Sequence, residues 1–482
     1  MEQTPHIAIV PSPGISHLIP LIELAKQLVH HHDFRVKYII PTSGPRLKAM
    51  KVVLGALPKT IESVFLPPAS LDDLPQGLAI GAKVALTMTR SMPSLRHVLK
   101  SLASTTRLVA LVIDPYGSDA IDVAKEFNVE SYIFFTSTAM ALSFLLHFPK
   151  LDESAPCGFR FSELQEPLRL PGCLPFRSKD LMDDALHGRN NENYKWLLYH
   201  SKRLHLVKGI MVNTFMELEA GAIKALHQES HDGTPPIYPI GPIVRMGSST
   251  SNNSIDGSES CLRWLDNQPI GSVLFVSFGS GGTLSHDQLL ELAMGLAMSA
   301  QRFLWVVRFP NNDSADAGYL CDNGHVDPLD ILPGGFVELT KEQGLVVSAW
   351  APQVHVLRHR STGGFLSHCG WNSTLESVVH GIPLIAWPLH AEQKMNALML
   401  VEDLKVAMRP KANEHGVVER EEVARVIKGL MEGEEGERLR NNMKHLKDAA
   451  AKVLREGGSS TRALSELASK WKRQADNEFE MA

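Results

Sequence analysis

At 482 residues the chain is too long for one ordinary hydrophobic core, and roughly 100–200 residues per domain implies two or three domains. Its 44% hydrophobic and 21% charged residues are those of a globular protein, which excludes a disordered or fibrous chain. A net charge of −5, from 48 basic against 53 acidic side chains without a basic cluster, argues against a nucleic-acid partner.

The N-terminus carries neither the basic segment nor the long apolar run of a secretory signal, and no stretch reaches the roughly 18 apolar residues of a membrane span. Five cysteines (Cys157, Cys173, Cys261, Cys321, Cys369), odd in number and widely spaced, contain no C-x-x-C and read as reduced, non-ligand thiols of a cytoplasmic protein. The run His30, His31, His32 points to different sides of a helix and reads as a solvated helix end, not a metal site.

In chain order, His6–Pro11 is a short buried strand, Ser12–Ser16 a turn, and His17–His31 a helix with Leu18, Leu21, Leu24 and Leu28 at helical spacing. Phe34–Ile40, Leu108–Ile113, Tyr132–Phe135 and Gly209–Asn213 follow as apolar strands, and strands alternating with helices imply a parallel sheet. The polar, Gly/Ser/Asn-rich stretch between Pro242 and Ser260 cannot bury a core and reads as a linker. Beyond it the alternation restarts, with strands expected at Ser272–Phe278, Phe303–Arg308, Leu345–Ser348, Gly364–Ser367 and Pro383–Trp387. The expected architecture is α/β: two doubly wound, Rossmann-like domains, residues 1–245 and 262–460, joined by a linker over 246–261 and facing across a cleft. A last segment, 461–482, carries Leu464, Leu467 and Trp471 on one helical face, so it must pack on something. Asn311–Pro333 is long, polar and irregular, a pattern that is functional or mobile more often than structural.

Ligands of such sheets sit at the carboxyl ends of the strands. His17 lies there, just after the first strand in PSPGISHLIP, and Asp114 ends the strand Leu108–Ile113 in ALVIDPYGSDA. A neutral imidazole is suited to taking a proton, and a carboxylate beside it would hold its tautomer and steady its charge, although a histidine beside a Pro/Gly turn is often merely structural. Asp119 reads as a first-turn helix acid. Phe135, Phe144, Leu145 and Phe148 either line an apolar pocket or belong to the core.

From Trp350 to Gln393 the sequence reads WAPQVHVLRHRSTGGFLSHCGWNSTLESVVHGIPLIAWPLHAEQ. This stretch closely resembles the donor-binding signature of plant family 1 UDP-dependent glycosyltransferases, and the resemblance extends over nearly the whole chain, nearest to the hydroquinone glucosyltransferase-like, phenol-glucosylating members. It implies the GT-B arrangement and UDP-glucose as co-substrate. Physically, a strand to Ser367, a turn over His368–Trp371 and a helix from Ser373 aim backbone N–H groups and a positive helix end at a diphosphate. His368 and Ser373 add donors and Asn372 orients them, while the Gly-rich loop SFGSGG brings Ser280 toward the outer phosphate. Trp350 either stacks on uracil or is core; Gln353 and Glu376 offer partners for ribose hydroxyls, though Ser373-x-x-Glu376 is also a helix capping box. The resemblance adds Ala351 and Trp371 to the UDP site, Glu392 and Gln393 to the sugar site, and favours glucose through the final Gln393 with Trp371. It also implies that His17 is the base and Asp114 its partner, and that Thr136 lies near the glucose 6-hydroxyl. His390 departs from the aromatic or apolar residue of many relatives and bears on the acceptor side.

The implied reaction is a single inverting displacement through an oxocarbenium-like transition state, without a metal: the sequence holds no Asp-x-Asp pair, and fixed dipoles serve the departing phosphate. The expected partners are UDP-glucose and a small aromatic acceptor such as hydroquinone, indoxyl or a phenylpropanoid, with no membrane span, in a monomeric enzyme. A nicotinamide-dependent oxidoreductase would share the α/β pattern but needs a Gly-x-Gly-x-x-Gly that the first turn lacks. A silent nucleotide-sugar binder would have no use for an intact His17 and Asp114.

Overall fold

Strands buried on both faces are near-continuous apolar runs, and ALVIDP and LFVSFG are of that kind. The computed structural model describes residues 4–44, 48–74, 80–230, 233–245, 258–311, 328–348 and 350–481. It divides into two compact units, Met1–Lys179 with Asp183–Val244 and Lys452–Ala482, and Asp180–Met182 with Arg245–Ala451.

The first unit is built on β1 (His6–Val10), β2 (Arg35–Ile40), β3 (Ile61–Phe65), β4 (Leu108–Ile113), β5 (Ser131–Phe135), β6 (Gly209–Val212) and β7 (Ile237–Pro239). Every pairing is parallel and the order is β3-β2-β1-β4-β5-β6-β7. The order therefore reverses between β1 and β4, the switch point at which loops diverge and leave a crevice. Val10 pairs with Ile113 at the end of that register, so the chains carrying His17 and Asp114 leave the sheet side by side.

The second unit repeats the plan with β8 (Val273–Ser277), β9 (Arg302–Val307), β10 (Gly344–Ser348), β11 (Thr362–Ser367), β12 (Leu384–Ala386) and β13 (Ala407–Met408) in the order β10-β9-β8-β11-β12-β13, again all parallel. Its switch point falls between β8 and β11, where Ser277 pairs with Ser367. The SFGSGG loop and the SHCGWNS turn thus diverge from neighbouring strand ends.

Three strands, β3, β7 and β13, were not expected from the sequence. They are short, and β3 (IESVF) is half-exposed with Glu62 on it, so it shows no buried run. Of the expected linker, residues 246–257 lie outside the described residues, and 258–261 open a helix, Ser258–Asp266, that buries Cys261 and Leu265. Of the irregular segment, 312–327 also lie outside the described residues. The chain returns to the first unit from Lys452, ahead of the expected position 461, and its closing helix, Ser459–Met481, adds Leu464, Leu467, Ala468 and Trp471 to the first core. Ser460 Oγ anchors the return by donating to the Gly241 carbonyl at 2.5 Å.

Candidate active site

Gly14, at φ 120°, makes the tight turn that lets the helix Ile15–His32 start immediately after β1, and His17 stands in its first turn. Its Nδ1 is hydrogen-bonded to Asp114 Oδ2. Asp114 is fully buried, while the imidazole keeps 22% of its side-chain surface exposed. Burial alone would raise the Asp114 carboxyl, but the His17 charge and hydrogen bond, the Ser12 hydroxyl and the Tyr116 N–H together hold it below its ordinary range. An ionised carboxylate only accepts, so His17 donates from Nδ1, and in the neutral ring the lone pair then lies on Nε2, the tautomer a base needs.

Ser12 was missed by sequence reasoning; its place in the PSPG turn, ahead of the histidine, was the available signal. The Tyr116 ring meets His17 edge-on, 5.9 Å between centroids. Asp119 is not a first-turn acid: it precedes the helix Ala120–Lys125, and its carboxylate accepts from Thr89 at 2.6 Å and Tyr199 at 2.5 Å instead of capping.

Of the apolar candidates, Phe144 and Phe148 have no exposed surface and pack with Phe161 and Tyr194, so they are core. Phe135 is 4% exposed at the end of β5, Leu145 is half-buried, and Thr136, next after β5, is half-buried as well.

In the second unit the helix Trp371–His380 begins two residues before Ser373, with Gly370 at its cap and no side-chain cap. The capping-box reading therefore fails: Ser373 is in the third helical position, and its hydroxyl accepts from Gln353 Nε2 at 2.9 Å. The same Gln353 nitrogen donates to Glu376 Oε2 at 2.8 Å. Gln353, Ser373 and Glu376 thus form one polar cluster joining two helices, and burial pushes the Glu376 carboxyl up to about 7.

His368 sits between glycines: a Cβ on Gly279 would meet its ring at 2.6 Å and one on Gly370 would meet Nε2 at 2.4 Å. Burial, with His390 nearby, drives its pKa down to about 3, so the ring is neutral. Its Nδ1 is buried and has no hydrogen-bond partner among the described residues. Cys369 holds a left-handed backbone, φ 63°, which a non-glycine residue adopts only under support. That support is Asn396, fully buried, whose Nδ2 donates to the Cys369 carbonyl at 3.0 Å. Asn396 escaped the sequence reading although it lies three residues past Gln393, on the same helix face.

Trp371 and Asn372 open the helix, with Trp371 3% exposed; Ser280 is exposed on the loop after β8, and Arg308 Nη1 donates to the Gly279 carbonyl of that loop at 3.4 Å. Trp350 is 48% exposed, which removes its core reading, and Ala351 beside it is buried. Gln393 Oε1 accepts from the backbone N–H groups of Leu389 and His390, so its carbonyl is committed to its own loop while its Nε2 faces the His390 ring at 3.5 Å. Glu392 stands at the N-terminal cap position of the helix Gln393–Leu398 without a side-chain capping bond.

Among the described residues no group of three or more His, Cys, Asp or Glu is arranged to hold a metal ion, and no helix is long and apolar enough to cross a membrane. Among the described residues no disulfide joins Cys157, Cys173, Cys261 or Cys369; Cys321 lies outside them.

Two parallel-sheet α/β units, one with a carboxylate-held histidine at its switch point and one with a glycine-flanked turn entering a helix, define a glycosyltransferase of the GT-B type. Residues 251–441 match the family model described as UDP-glucoronosyl and UDP-glucosyl transferase. The hydroquinone glucosyltransferase of Rauvolfia serpentina is 57% identical over 98% of each chain. The structure of Phytolacca americana UGT2 complexed with UDP-2fluoro-glucose and pterostilbene is 49% identical with a TM-score of 0.88, covering 98% of this chain and 100% of that one. A Polygonum tinctorium UDP-glucosyltransferase capable of glucosylating indoxyl, in complex with 3,4-dichloroaniline, is 50% identical with a TM-score of 0.89, covering 97% and 99%. The chain belongs to the plant family 1 UDP-glycosyltransferases, and the oxidoreductase reading falls.

Proposed function

We propose that the enzyme transfers glucose from UDP-glucose to the hydroxyl of a small phenol and forms the β-glucoside by inversion. The observation that carries this reading is the His17–Asp114–Ser12 arrangement, a buried, charged carboxylate fixing an accessible imidazole in its basic tautomer. His17 Nε2 takes the phenol proton as the phenolate oxygen attacks C1 of glucose, and Asp114 steadies the imidazolium. The leaving diphosphate gains charge at the start of the helix Trp371–His380, where backbone N–H groups, His368, Asn372 and Ser373 receive it, with Ser280 on the outer side. Trp350 and Ala351 take the uracil, and Gln353 with Glu376 the ribose.

Trp371, Glu392, Gln393 and Thr136 hold the sugar; Gln393, with its carbonyl occupied, serves it as a donor. Phe135, Leu145 and His390 face the acceptor. These fixed dipoles supply the stabilisation that a metal gives other transferases, so the reaction proceeds without one. Reduced cysteines support a cytoplasmic location, and the enzyme acts as a monomer.

Purified enzyme with UDP-glucose and hydroquinone should release UDP and a glucoside whose anomeric proton shows the large coupling of a β linkage. UDP-galactose and UDP-glucuronate should be poor donors. Retention of the α configuration, or no UDP release with any phenol, would sink the proposal.

A further inference from the structure

At the amino-terminal edge of the first sheet, opposite the end that carries His17, a cavity of about 400 Å³ opens where β1, β2 and β3 begin. His6, Arg35, Lys37, Lys59, Glu62 and His97 line it. His97 comes from the helix Ile80–Thr105, whose Ser101, one turn on along the same face, adds a hydroxyl. Three permanent cations against one carboxylate leave an excess of two positive charges in a concave site. Lys37 spends its charge on Glu62 at 2.9 Å. Arg35 and Lys59 make no side-chain hydrogen bond or ion pair among the described residues, yet both face the same space. Concave walls with an excess of one sign focus the field and draw counter-ions, and a guanidinium fork beside an ammonium suits tetrahedral oxyanions.

We propose that this cavity binds a small dianion or polyanion of the phosphate class, held by Arg35 and Lys59, at a site separate from the one that serves the transfer reaction. Two charges of excess match a phosphate ester or pyrophosphate better than a single carboxylate. The sites stand at opposite ends of a five-residue strand, roughly 15 Å long, so neither shares a residue with the other. Because β1 runs from His6 in the cavity to the turn before His17, occupancy bears on the strand that carries the base. The inference does not depend on which acceptor the enzyme glucosylates.

The test is calorimetric titration of inorganic pyrophosphate, and separately of phenyl phosphate, into the full chain saturated with UDP, which blocks the donor site. Binding should persist in the presence of UDP, weaken with salt, and weaken at least tenfold in a chain carrying Arg35→Glu and Lys59→Glu. Tighter binding of phenyl phosphate would assign the site to phosphate esters, and tighter pyrophosphate to inorganic anions. The double variant should keep wild-type turnover of UDP-glucose and an unaltered thermal shift with UDP, which shows that it folds. Absence of binding at millimolar concentration, competition by UDP, or equal affinity in the charge-reversed chain would overturn the proposal.

Discussion

At the scale of single residues, the site combines one carboxylate kept charged against burial and one driven toward neutrality by it. Asp114 stays ionised because three donors converge on it, and its value lies in what it does to His17. Replacing His17 by Ala should cut kcat for hydroquinone about 10²–10⁴-fold. The loss should shrink with a nitrophenol that is already ionised, because no proton then needs removing; equal losses for both phenols would make His17 a structural residue. Glu376 behaves oppositely. Its carboxyl, ordinarily at 4.5, is raised to about 7 by burial. Below 4.5 both folded and unfolded chains hold the proton and nothing is gained. Between 4.5 and 7 only the folded chain holds it, so stability falls as pH rises, and above 7 the full cost applies, about 3 kcal/mol. Glu376→Gln should therefore stabilise the ligand-free enzyme at about pH 8, flatten the loss between about pH 5 and 7, and weaken UDP binding. Urea unfolding across that range reads the first two effects, and an unchanged slope would contradict the cause assigned here.

At the scale of elements, the proposed diphosphate cradle is a fit of two backbones to one ring. Gly279, at φ 77°, and Gly370 face the His368 imidazole from different loops, and a methyl group at either would overlap it. Gly279→Ala should impose about 1–2 kcal/mol of left-handed strain and displace the ring. The expected result is about a tenfold rise in KM for UDP-glucose with KM for the phenol unchanged; a rise confined to the phenol would place the ring elsewhere in the reaction. This fit marks the limit of what the sequence discloses. The strands β1, β2, β4, β5, β6, β8, β9 and β11 were legible because burial on both faces leaves continuous apolar runs. The carboxyl-end loops were legible because a turn must follow. Which glycine meets which ring was not, because Gly279 and His368 are brought together only by the β8–β11 pairing. The helix start was misread for a related reason: Ser373-x-x-Glu376 imitates a cap, whereas its hydroxyl is used by Gln353, twenty positions away. Asn396, which pins Cys369, left only its spacing from Gln393 as a trace.

At the scale of the whole molecule, the chain begins and ends in the same unit. Its final helix buries Trp471 completely, edge-on to Tyr132 at 5.1 Å and to Phe34 at 6.0 Å between centroids, with Lys472 over the Phe34 ring. The first core is thus closed by residues that follow the second unit in the chain. Truncating a buried aromatic costs about 3–5 kcal/mol through lost transfer energy and the cavity left behind. Trp471→Ala should therefore weaken the first unit alone. Hydrogen exchange should quicken in β1, β2 and β4, which contribute to the Trp471 cluster, while β8 and β11, whose core contains none of the final helix, keep their protection. UDP affinity, which the proposed donor site assigns to the second unit, should hold, and turnover should fail first on warming because the His17–Asp114 pair rests on β1 and β4. Equal loss of protection in β8 and β11 would show instead that the two units unfold as one cooperative block, and that the closing helix stabilises the entire enzyme rather than the half on which it lies.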